Sequence, residues 1–153
     1  MRGFTRFSLL MRGLGLKLKF LRMRYLGIDY GTKRIGIALS DEEGRIAYPK
    51  EVIPNSPKGE HRSALDAVAI ICRRETVGAI VMGESRDYSG APNAIWDDAR
   101  KFGEELARTV EIPLFFEPEF LTSAQAERIQ GKTPLLDASA AAIILQSYLD
   151  RGR

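Results

Sequence analysis

With 153 residues, 44% hydrophobic and 28% charged, the chain is long enough to bury one sizeable core and too short for two. Its single cysteine, Cys72, excludes an intrachain disulfide, and its single histidine, His61, sits in a polar stretch, a poor basis for Cys/His or Ser/His/Asp chemistry. The formal charge of +3 is unevenly spread: residues 1–24 carry seven bases and no acid, leaving residues 25–153 with 16 bases against 20 acids, a net of −4. A uniformly basic nucleic-acid-binding surface is therefore not expected, although a local basic patch is compatible with these numbers.

Residues 1–22 alternate short apolar pieces with Arg and Lys, so neither a membrane span nor a signal peptide is expected there. A basic tail touching nucleic acid is one reading. The reading adopted is that Met23 is the true start, that residues 1–22 are poorly ordered or loosely docked, and that 23–153 form a single cytoplasmic domain. The lone thiol in the apolar run Ala69-Ile70-Ile71-Cys72 is expected to be buried and inert.

Tyr25 to Ser40 reads as two antiparallel strands joined at Gly31. Alternation puts Gly27 and Asp29 on one face and Leu26, Ile28 and Tyr30 on the other. A glycine beside a carboxylate leaves room for a metal, a phosphate or another backbone. The turn Asp41 to Gly44 leads to a third strand from about Arg45 to Ile53, closed by Pro54, and 55–60 reads as a loop. Ser63 is expected to cap a helix over Ala64–Glu75, with Leu65, Val68, Ala69 and Cys72 inward. The apolar run Ala79–Gly83 is a buried central strand after a crossover, hence parallel. A polar loop follows over 84–93. Ala94–Val110 is an amphipathic helix with Ile95, Ala99, Phe102 and Leu106 inward, and Trp96 is expected off that stripe, against a loop. Ile112–Phe116 is a fifth strand, with Glu119 just beyond it, and Ala124–Gln130 is a short helix. Pro134, at the first helical position, opens a last helix to Leu149.

This order, three antiparallel strands and then helix–strand crossovers, resembles that of the ribonuclease-H-like α/β fold, a five-stranded mixed sheet flanked by helices. Such a fold would bring Asp29, Glu119 and Asp137 together from distant parts of the chain. Clustered carboxylates repel one another unless a cation lies between them, and hard oxygen ligands suit Mg²⁺ or Mn²⁺. Two such ions ~4 Å apart can activate water and stabilise the leaving oxygen of a phosphodiester.

The run from Leu26 to Asp41, the stretch Ile80-Val81-Met82-Gly83, and the tail from Lys132 to Leu149 with Asp137 and Ala140-Ala141 resemble the YqgF (RuvX-like) family. Its members are described as Holliday junction resolvases and as pre-16S ribosomal RNA nucleases. The resemblance departs at Pro118-Glu119-Phe120-Leu121-Thr122-Ser123, where the family has Asp-Glu-Arg-Leu-Thr-Thr or Ser. Glu119 is kept, while proline and phenylalanine replace the flanking acid and arginine, with Glu117 a candidate to replace the lost acid. The resemblance implies a metal-dependent endonuclease acting on a ribosomal RNA precursor or branched DNA. Asp29, Glu119 and Asp137 would be its catalytic metal ligands, and Thr32, Lys33, Arg34, Ser85 and Thr122 its contacts to nucleic acid, in a monomer or homodimer away from membranes. Two other readings use the same residues. One is a non-catalytic nucleic-acid or protein binding module; the other is an ATP-handling protein, since Asp29-Tyr30-Gly31-Thr32 also resembles the first phosphate loop of the sugar kinase/actin/Hsp70 group.

Overall fold

The computed structural model describes residues 23–56, 61–85, 94–119 and 134–152. The leader 1–22, the loop centred on Gly90, Thr122 and the short helix expected at 124–130 lie outside these residues. The elements are β1 (Arg24–Tyr30), β2 (Arg34–Ser40), β3 (Ala47–Pro54), α1 (His61–Arg74), β4 (Val77–Ser85), α2 (Ala94–Val110), β5 (Leu114–Glu119) and α3 (Pro134–Arg151). They form one five-stranded sheet in the order β3-β2-β1-β4-β5. The pairs β1/β2 and β2/β3 are antiparallel, and β1/β4 and β4/β5 are parallel. The strand order expected of the ribonuclease-H-like topology is thus present, with β1 central.

Helices cover both faces, and the two faces differ in composition. Toward α1 and α2 the strands present Leu26, Ile28, Tyr30, Ile35, Ile37, Leu39, Ile80 and Met82, which meet Leu65, Val68, Cys72, Phe102 and Leu106 in one buried cluster. Each large side chain so buried is worth about 1.5–3 kcal/mol of transfer free energy. Cys72 belongs to this cluster, and burial pushes its thiol up to about 12. Toward α3 the strands present small residues. Ala38 and Val81 pack there with Ala141, Ile144, Leu145 and Leu149. A Cβ on Gly27 would lie 2.8 Å from the Leu145 Cβ and 2.9 Å from the Ala141 carbonyl oxygen, closer than real Cβ contacts come. The space beside Asp29 is therefore filled, at Gly27, by the backbone of a helix.

Several boundaries differ from expectation. α1 begins at His61, so Ser63 lies inside the first turn rather than capping it. β3 begins at Ala47 because Asp41 holds the preceding turn: its Oδ1 accepts the N–H groups of Arg45 at 2.7 Å and of Ile46 at 3.2 Å. Those donors hold the Asp41 carboxyl below its usual range. In α2, Ile95 is exposed and Trp96 is buried, edge-on to Phe116 of β5 at 5.1 Å. The tryptophan is therefore a core residue, not one packed against a loop. β5 starts later than expected and runs through Pro118, so Glu119 is its last residue rather than a loop residue. Ile80 donates its N–H to the Pro113 carbonyl. In a parallel ladder of that phase Pro118 turns its nitrogen away from β4, so the missing donor costs no ladder bond. No helix among the described residues is long and apolar enough to cross a membrane.

Candidate functional site

β1 carries Asp29 to the α3 side of the sheet, opposite Gly36 of β2. Gly36 decides what stands above it: a Cβ there would lie 2.0 Å from the carbonyl oxygen of Asp137. The first turn of α3 thus rests on the bare backbone of β2, where any side chain would lift it off. This contact delivers Asp137 to Asp29 across more than a hundred residues of sequence.

The two carboxylates affect each other. Burial first, and the charge of Asp137 second, push the Asp29 carboxyl from 3.8 up to about 6. Asp29 keeps a small opening to solvent yet has protein around nearly all of it, and that burial disfavours its ionised form. The Asp137 side chain is 22% exposed, and its Oδ2 lies 2.9 Å from Nε of Arg34. The N–H is not aligned for a hydrogen bond, however, and Oδ2 is a buried oxygen without a hydrogen-bond partner. The contact is coulombic only. A buried, unsatisfied carboxylate oxygen beside a second carboxylate that resists ionising is a donor set that fits a hard divalent cation.

The turn between β1 and β2 flanks the acids. Thr32 and Lys33 are exposed on it, whereas Arg34 leans in toward Asp137. Asn55, read from sequence as part of a loop, clamps this turn. It is buried; its backbone N–H donates to the Lys33 carbonyl at 2.9 Å, and its Nδ2 donates to the Gly31 carbonyl at 2.8 Å. Its one sequence signal is register: Pro54 pairs with Arg34, which places the next residue beside Lys33.

Glu119 and Ser85 end neighbouring strands and pair with each other in the parallel register. Their side chains lie outside the described residues, as does all of Thr122. Glu117 is buried against α3: it accepts a hydrogen bond from the Ser147 hydroxyl at 2.9 Å and is ion-paired with Arg151. Glu117, held by those two partners, is not free to replace the lost acid. Among the described residues no group of three His, Cys, Asp or Glu side chains is close enough to hold a metal. The described acids brought together are the pair Asp29 and Asp137.

Comparison with known proteins adds the following. The family model RuvX, described as Holliday junction resolvase, matches residues 23–151. A protein of Anaeromyxobacter sp. (strain Fw109-5) is 38% identical over 136 residues, covering 84% of this chain and 97% of that protein. One of Nitratidesulfovibrio vulgaris is 36% identical over 136 residues, with 84% and 94% covered. Both bear the name "Putative pre-16S rRNA nuclease". Among solved structures, RuvC of Thermus thermophilus superposes with a TM-score of 0.58 at 19% identity, over 85% of this chain and 97% of that one. The fowlpox virus Holliday junction resolvase gives 0.52 at 16% identity, over 84% and 99%. At such identities these two establish the fold.

Proposed function

The chain belongs to the RuvX family, and from that premise we propose that it is a divalent-metal-dependent endonuclease that hydrolyses phosphodiester bonds in structured nucleic acid. A ribosomal RNA precursor is the first substrate to try and branched DNA the second, following the names of its relatives and the description of its family. The observation that carries the reading is the interacting pair Asp29 and Asp137, with Oδ2 of Asp137 buried and without a hydrogen-bond partner. Asp29, Asp137 and Glu119 are the proposed metal ligands. Bound there, Mg²⁺ or Mn²⁺ would supply an activated water and neutralise charge on the phosphate.

The chain's own residues have separable tasks in this reading. Gly36 and the first turn of α3 fix the distance between the two acids. Lys33 and Thr32, on the turn that Asn55 holds rigid, bind phosphate and set the register of the strand, as do Ser85, at the end of β4, and Thr122. The protein works in the cytoplasm on this reading, as a monomer or homodimer.

Cleavage of a ribosomal RNA precursor and of a four-way DNA junction in the presence of Mg²⁺ or Mn²⁺ tests the assignment. Wild type should cut at least one of them, and Asp29→Asn and Asp137→Asn should each cut it at least ~100-fold more slowly. Equal rates for wild type and Asp29→Asn would sink the assignment. Metal-independent binding without cleavage would favour the non-catalytic module.

A further inference from the structure

We propose that Arg34 is a resident counter-ion of the acid pair: it neutralises Asp137 while no divalent ion is bound, and it swings outward to meet a phosphate when one is. This rests on the reading of Asp29 and Asp137 as metal ligands.

Four observations lead there. Arg34 approaches Asp137 with Nε alone, at 2.9 Å, and without hydrogen-bond alignment. A guanidinium that held a carboxylate permanently would use its two-pronged, hydrogen-bonded geometry; this one supplies charge and little else, and so is readily exchanged. Second, the position it occupies is the unsatisfied Oδ2 itself, the atom a hard cation would take. Two positive charges at one carboxylate oxygen repel each other, so cation and guanidinium compete for it. Third, the Arg34 side chain is 38% exposed, against 22% for Asp137, which gives it solvent to rotate into. Fourth, its backbone cannot follow. Arg34 is paired with Pro54, and the turn before it is tied by Asn55 to the carbonyls of Gly31 and Lys33. The motion is therefore a side-chain rotation about a fixed Cα, and its outward end lies beside Thr32 and Lys33, where a phosphate would gain a second cation.

The exchange also accounts for a buried pair of carboxylates surviving in the unloaded protein. Without Arg34, Asp137 would lose the guanidinium that stands 2.9 Å from its Oδ2 and would lie beside Asp29 uncompensated by it. The same guanidinium, as a competitor, weakens the metal site.

Calorimetric titration of the full chain with Mn²⁺ alone tests this, using wild type, Arg34→Gln, Arg34→Met and Asp137→Asn. Arg34→Met keeps the aliphatic stem and serves if the amide disturbs folding. Removing the competitor should tighten Mn²⁺ binding about 3- to 10-fold in both neutral variants. With Mn²⁺ saturating, the same variants should raise KM for the nucleic acid and change kcat little. Unchanged or weaker Mn²⁺ binding in both neutral variants, each melting cooperatively, overturns the role of Arg34. If in that case Asp137→Asn still abolishes binding, the metal reading stands and only the exchange falls. If wild type and both Arg34 variants all fail to bind Mn²⁺, the two fall together.

Discussion

The face of the sheet toward α1 and α2 and the face toward α3 are held together by different physics. On the first, Leu26, Ile28, Ile35, Ile37 and Met82 interlock with Leu65, Phe102 and Leu106, and the helices stand off by the length of those side chains. On the second, Gly27, Gly36 and Ala38 leave the strands nearly bare, and α3 descends until its backbone touches them. The bulky face supplies stability through buried area, and many volume-conserving changes would leave it intact. The thin face contributes less area and far more positional accuracy. It is also the face that carries Asp29, and with Asp137 above it the acid pair is placed by backbone contact, with no adjustable side chain intervening. Stability and site geometry are thus assigned to opposite sides of one sheet, which makes them separately breakable.

The largest loss of stability should come from the bulky face. Phe102→Ala removes a fully buried ring and should cost about 3–5 kcal/mol by urea denaturation. Mn²⁺ binding by the fraction that remains folded should be little changed. Gly36→Ala asks a Cβ to share space with the Asp137 carbonyl and should cost up to about 3 kcal/mol. Unlike the first, it should remove most Mn²⁺ binding even below the melting transition, because α3 must lift. If Gly36→Ala binds Mn²⁺ as wild type does, the division of labour between the faces is wrong. The third effect has the opposite sign. Because the folded state raises the Asp29 carboxyl from 3.8 to about 6, its contribution to stability is fully present below pH 3.8 and is lost as pH rises through 6. With chelator present at pH 7, Asp29→Asn should therefore be more stable than wild type, by on the order of 2 kcal/mol after allowance for its opening to solvent. The gain should shrink toward pH 4, and an Asp29→Asn variant less stable at pH 7 than at pH 4 relative to wild type would contradict the assignment of strain to this carboxylate.

Element order was legible in the sequence because it rests on local periodicity. The alternation of Leu26-Gly27-Ile28-Asp29 and the spacing of Leu65, Val68 and Cys72 describe their own faces. Boundaries and near-degenerate faces were not. Ile95 and Trp96 lie four and three residues before Ala99, so either fits the buried stripe; the larger side chain took the place against Phe116. The end of β5 depended on whether a strand could pass through Pro118, which edge position permits. Within the site, Asp29 was marked by its neighbouring glycine, and Asp137 by its place after a helix-initiating proline. What could not be read was the geometry that joins them. The rest of α3 on Gly36, the hold of Asn55 on the turn and the inward lean of Arg34 are long-range contacts, without a periodic trace.

Both borders of the sheet carry proline: Pro49 and Pro54 in β3, whose pairing is further broken by a bulge, and Pro118 in β5. Among the described residues these are the outer strands. A second copy annealing strand to strand would find missing donors and an interrupted template on either margin. Among the described residues, a second copy would therefore meet the outer surfaces of the helices, where Ile70, Ile95 and Ile143 stand in solvent, more readily than either strand margin.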